Sequence, residues 1–93
     1  MQIEFDPKKR NWTLTERGLD MARAHEVFEG LGISFPDNRV DYGEPRFVRI
    51  GYLDGRMVVL VWTKRGDVFR IISLRKANGR EQALYEKRMG RSR

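Results

Sequence analysis

The chain has 93 residues, a hydrophobic fraction of 40%, no cysteine and a formal net charge of +6. That length fits a single domain, residues 1–93, with one modest core. The missing thiols exclude a disulfide framework, a thiolate metal site and a cysteine nucleophile, and no apolar run nears the roughly 18 residues of a membrane span. Residues 1–6 carry neither a basic region nor an apolar stretch, so no secretory signal is expected. Ile3 to Phe5 alternates apolar and polar and reads as an edge strand. Asp6-Pro7 reads as a helix start: the carboxylate accepts from orphan N–H groups, and proline wastes no donor there. The first helix is expected from Pro7 to about Arg17, with Trp12 as its main buried residue and Gly18 as its end. Asp20 is expected to cap a second helix whose apolar stripe is Met21, Ala24, Val27, Phe28 and Leu31, stopped by Gly30 and Gly32. A short strand at Ile33–Phe35 and a loop over 36–43 follow.

The second half reads more sharply. Arg46–Leu53 is a strand, and Asp54-Gly55 signals a two-residue type I′ hairpin. Arg56–Lys64 contains Met57-Val58-Val59-Leu60-Val61-Trp62, apolar on both faces, so it is expected to be central and covered. Gly66-Asp67 turns the chain into a third strand, Val68–Arg75. Asn78 with Glu81 has the spacing of a capping box for a last helix reaching about Met89, and residues 90–93 are expected to fray. The fold class is therefore α+β: two N-terminal helices on a mainly antiparallel sheet, with a C-terminal helix.

Charge divides along the same line. Residues 1–46 hold seven Lys/Arg against nine Asp/Glu, whereas residues 47–93 hold twelve against four. A basic sheet is what a polyanion binder uses, because each neutralised phosphate releases counterions. Strict alternation along the third strand puts Phe69, Ile71, Ser73 and Arg75 on one face, and Val68, Arg70, Ile72 and Leu74 on the other. Arg70, between Phe69 and Ile71, is costly to bury alone, so it is either paired with a carboxylate or exposed in a concave site. The meander gathers Glu44, Arg46, Arg49, Trp62, Thr63, Lys64, Arg65, Arg70, Ser73 and Arg75. One carboxylate among many cations suits RNA cleavage by its own 2′-OH, a reaction that needs a base, a proton for the leaving oxygen and cations on the phosphorane. Glu44 is a candidate base and the arginines are candidate phosphate clamps. Trp62 is a base stacker or a core residue, and Tyr85 a stacker or part of an amphipathic face. His25, the one histidine, reads as a surface residue, and the spacing of Asp37, Asp41 and Glu44 reads as a solvated loop, so no metal or other cofactor is expected.

The ordered motifs resemble the BrnT family of type II toxin–antitoxin ribonucleases. They run from Phe5-Asp6-Pro7-Lys8-Lys9, through Arg17-Gly18, Ala24 with Val27-Phe28, Glu44-Pro45-Arg46-Phe47, Ile50-Gly51 and Val61-Trp62-Thr63-Lys64-Arg65-Gly66, to Arg70–Ala77 with Glu81 and Tyr85. The resemblance spans roughly residues 4–86. The chain departs from it at Arg17, where the family usually has histidine, and at Thr13, where asparagine is common. The resemblance implies a RelE-like fold and a cytoplasmic endoribonuclease that cuts mRNA or rRNA and blocks translation. It also implies a BrnA-like antitoxin partner in a hetero-oligomer, operator DNA bound only through that antitoxin, and no membrane. Carried onto this chain, Arg46, Arg70 and Arg75 hold phosphate and Glu44 or Lys64 moves the proton. Arg49, Trp62, Thr63, Arg65, Ser73, Lys76 and Tyr85 contact RNA. The alternative is a non-catalytic nucleic-acid binder or protein-interaction module on the same face. The nuclease reading expects Arg46, Arg70 and Arg75 to converge on one hollow, and three separate, unconnected surfaces would end it.

Overall fold

The first two helices lie between the first and second strands, the remaining strands form an uninterrupted meander, and a third helix follows the last strand. The computed structural model describes residues 1–90, so the tail expected to fray lies, apart from Gly90, outside the described residues. Strand β1 (Gln2–Glu4) is followed by helix α1 (Pro7–Arg17), a 3₁₀ turn (Met21–Arg23), helix α2 (Ala24–Glu29) and strand β2 (Gly32–Pro36). Strands β3 (Phe47–Leu53), β4 (Arg56–Arg65) and β5 (Val68–Lys76) lead to helix α3 (Gly79–Arg88). The sheet order is β1-β5-β4-β3-β2. β1 runs parallel to β5, and the other three pairings are antiparallel. The architecture is thus α+β with a mixed five-stranded sheet.

Local chemistry sets the boundaries. Asp6 accepts from the N–H of Lys8 at 2.9 Å, and Asp20 accepts from Ala22 at 2.9 Å, capping the 3₁₀ turn rather than α2 itself. Asp54 and Gly55 both have positive φ, 53° and 77°, as a type I′ turn requires; a glycine carries the second of these angles without strain. Asn78 and Glu81 form the expected capping box.

β4 is covered on both faces. Val58, Leu60 and Trp62 pack under α2 with Val27, Ala24, Ile71 and Leu74, while Val59 and Val61 face the α3 side with Ile50, Ala77 and Tyr85.

Three expectations are corrected. Trp12 is 54% exposed, and Thr13 is the buried residue of α1. Lys9, Thr13 and Arg17 are spaced by four and share a face, and that face meets the sheet. Lys9 donates to the carbonyl of Ile72 at 2.6 Å and Arg17 to that of Leu74 at 3.0 Å, so α1 satisfies carbonyls of β5 that β1 is too short to reach. Trp12 is left on the flank with the Arg17 guanidinium 4.9 Å over its ring. Leu31 is 69% exposed because α2 has already ended and the helical period no longer applies.

The third correction matters most. β5 does not alternate strictly. Trp62 pairs with Ile71 but Val61 pairs with Ser73, so Ile72 is an extra residue, a β-bulge. Beyond it the phase inverts: Phe69, Ile71 and Leu74 face α2, while Arg70, Ser73 and Arg75 share the α3 face, opposite Thr63, Val61 and Val59.

Candidate active site

Across the α3 face one row of side chains runs from β3 to β1. Arg46 immediately precedes Phe47, whose partner is Trp62, so it stands beside Thr63. Thr63 pairs with Arg70, and Arg70 with Glu4. The buried Thr63 hydroxyl donates to the carbonyl of Pro45, which fixes the backbone next to Arg46. Arg70 donates to Glu4 at 2.9 Å. Arg65 lies between two carboxylates, 3.9 Å from Glu4 and 3.5 Å from Glu44. Glu44 is also 3.6 Å from Nε of Arg46. That separation is an ion pair but no hydrogen bond, and Arg46 Nε is buried without a hydrogen-bond partner among the described residues. The Arg46 guanidinium lies 4.1 Å over the ring of Tyr42. It is the guanidinium of the row with most donors unused.

Ser73 and Arg75 continue the face toward α3. Arg75 donates to both Glu81 oxygens, at 2.8 and 2.7 Å, and this fork raises the Arg75 pKa and lowers that of Glu81. Two depressions flank these residues. One, of about 470 Å³, is lined by Arg75; the other, of about 400 Å³, by Glu44 and Arg46; they share residues 36–39 as a rim. Arg70 lines neither. The three arginines therefore share one face and not one hollow, which corrects that expectation.

Five expected site residues point elsewhere. Trp62 is 7% exposed on the α2 face, edge-on to Phe28 at 4.9 Å and stacked on Phe47 at 5.5 Å, so it is a core residue that a base cannot reach. Arg49 donates to the carbonyls of Val27 and Gly30 and to Ser34, closing the C-terminal end of α2, and burial lowers its pKa. Lys64 pairs with Phe69, its ammonium 5.5 Å from that ring, and Lys76 pairs with Val58; both follow the α2 face. Tyr85 is 6% exposed and packs edge-on against Tyr52 at 5.5 Å, beneath α3. His25 is exposed on α2. Among the described residues no group of three or more His, Asp or Glu could hold a metal ion, and no helix is long and apolar enough to cross a membrane.

Sequence reasoning missed Glu4 and Tyr42, and its solvated loop is corrected at Asp37, which is buried. Asp37 accepts from Arg39 and from the Tyr42 hydroxyl, and its N–H donates to the Arg46 carbonyl at 2.8 Å. The Arg39 fork, above all, holds the Asp37 carboxyl at about 2. These contacts are non-local or lie inside an aperiodic loop, so no spacing announces them.

The row from Glu44 to Arg75 falls within the match of one family model, that of the BrnT ribonuclease toxins of type II toxin–antitoxin systems, over residues 5–81. The chain belongs to that family. No curated protein matches it. As a BrnT toxin it comes from a family whose description implies RNA as substrate and an antitoxin protein as partner. Both depressions, and the fork between Arg75 and Glu81, lie in or beside the matched span.

Proposed function

We propose that this BrnT-family chain is a metal-independent endoribonuclease of RelE-like fold that acts in the cytoplasm. It cleaves mRNA or rRNA, blocks translation, and is neutralised by a BrnA-like antitoxin that alone contacts operator DNA. The observation that carries this reading is the β5 bulge, which brings Arg75 onto the face that holds Arg70, Arg46 and Glu44. Glu44 takes the proton of a ribose 2′-OH, the 2′ oxygen attacks phosphorus, and the bond to the 5′ oxygen breaks. The products are a 2′,3′-cyclic phosphate and a 5′-hydroxyl protonated by water, and the hydroxide so formed takes the proton back from Glu44. Arg46 and Arg70 hold the non-bridging oxygens as charge builds on them, and Arg75 holds the next phosphate. Thr63, Arg65 and Ser73 position this set. Lys64, Arg49, Lys76 and Trp62 take no part, because they stand on the other face.

The test expresses the chain without any partner and compares wild type, Glu44→Gln and Arg70→Ala, with circular dichroism to verify folding. RNA cleavage is expected to fall about 100-fold for Glu44→Gln and about 100- to 1,000-fold for Arg70→Ala. Three proteins that leave RNA equally intact overturn the enzyme reading. Tight, salt-sensitive binding without products would replace it with a nucleic-acid binder.

A further inference from the structure

The 470 Å³ depression differs in chemistry from the arginine row beside it. Its floor is aliphatic, with Val48, Ile50, Val59 and Val61 from β3 and β4, between Phe35 on β2 and Leu84 on α3. α3 packs its Tyr85 against Tyr52 near the end of the sheet; Ile50 and Val59 are buried at the base of the depression, and Phe35, Val48, Val61 and Leu84 are half-buried around it. Three cations rim it. Arg39 and Arg75 each give two donors to a carboxylate, Asp37 and Glu81. Arg80 is exposed and makes no ion pair among the described residues. Over the whole face Arg39, Arg46, Arg65, Arg70, Arg75 and Arg80 meet Glu4, Asp37, Glu44 and Glu81, so positive charge stays in excess around an apolar floor. A nucleobase is gripped by aromatic faces, and Phe35 is the single aromatic among the lining residues. Branched aliphatic side chains suit the floor better.

We infer that this depression docks the antitoxin, through an amphipathic segment whose aliphatic side chains fill the floor and whose carboxylates meet Arg80 and the outer N–H groups of Arg39 and Arg75. This rests on the reading that the chain has an antitoxin partner, and it names the surface used. Arg75 belongs to both the depression and the phosphate-holding face, so a docked segment covers a residue the RNA needs, and inhibition follows by occlusion. A stable complex needs more than roughly 1,000 Å² in total, so the segment extends past the depression onto neighbouring sheet.

The experiment titrates the antitoxin of the same operon into wild type, Arg80→Glu and Val48→Thr by calorimetry at moderate salt. Amide exchange is measured on the free and bound toxin. Arg80 is exposed and outside the proposed chemistry, so its reversal leaves the fold intact and keeps the test decisive if Val48→Thr folds poorly. Binding is expected to weaken about tenfold for Arg80→Glu and about fivefold for Val48→Thr, with new protection over residues 33–36 and 48–50. Wild-type affinity in both variants, with protection elsewhere, overturns the docking surface and leaves the partner standing. Failure of the wild type to bind removes the partner and the surface together. An unchanged antitoxin affinity beside a lost oligoribonucleotide affinity in Val48→Thr would give the depression to RNA and overturn the inference.

Discussion

At Asp37 four hydrogen bonds converge on one buried carboxylate, from the N–H, Nε and a terminal nitrogen of Arg39 and from the Tyr42 hydroxyl. Its neighbour Tyr42 is the platform under Arg46, and the Asp37 N–H donates to the Arg46 carbonyl, so the placement of that guanidinium depends on Asp37 twice. The carboxyl is held at about 2 against its ordinary 3.8, mainly by the Arg39 fork. A depressed folded-state value means that the stabilisation is complete above about pH 4 and disappears as pH falls toward 2. Because Arg39 is largely exposed, solvent screens part of the pair. Asp37→Asn is therefore expected to lose about 1–2 kcal/mol of stability at pH 7 and to converge on wild type near pH 2. Urea unfolding at both pH values measures this. A deficit that stays constant with pH would mean that packing, not charge, holds the loop.

Among the elements, α3 and β5 are joined through one side chain. Glu81 accepts the Asn78 N–H with Oε1, as half of the capping box, and both terminal nitrogens of Arg75 with its two oxygens. Glu81→Ala removes a helix cap and a partly buried ion pair together, worth about 1–2 kcal/mol, so the melting temperature is expected to fall about 5–15 °C for a chain of this size. A thermal melt followed at 222 nm checks it; a change under 2 °C would mean that neither bond holds α3 in place. This cap was legible in the sequence because Asn78 and Glu81 are three apart. The same holds for α1 between Asp6-Pro7 and Gly18, for the Asp54-Gly55 hairpin, and for a β4 run with apolar residues on both faces: each signal lies within a few residues. The site was legible as a set of residue types but not as a surface. A bulge depends on how β5 is paired with β4, and one extra residue at Ile72 moved Arg75 to the face opposite the one alternation assigns it. Trp12 failed for a similar reason: α1 turned its Lys9, Thr13 and Arg17 face to the open carbonyls of β5, and only the assembled sheet shows those carbonyls to be open.

For the whole molecule, the sequence asymmetry of charge overstates the field that a ligand meets. Of the twelve cations in residues 47–93, Arg49 closes a helix, Lys64 and Lys76 follow the α2 face, and Arg65, Arg70 and Arg75 are each paired with a carboxylate. Binding of a single-stranded RNA then engages about two phosphates, the scissile one through Arg46 and Arg70 and the next through Arg75, and the slope of log affinity against log salt is expected to be about −1.5. Free engagement of most of the basic half would give a slope steeper than about −5. Glu44 sharpens the contrast between binding and chemistry. It sits 3.6 Å from Arg46 and 3.5 Å from Arg65, so as an anion it opposes the phosphate that both cations attract. Glu44→Gln removes that repulsion and frees Arg46. Its RNA affinity is expected to rise about two- to fivefold at low salt, with the gain shrinking above about 0.3 M as screening grows, while its cleavage rate falls. Fluorescence anisotropy of a labelled oligoribonucleotide across a salt series, beside a gel of the products, reads both quantities. Affinity and cleavage that fall together would make Glu44 a scaffold for the arginines and leave the proton transfer without a base.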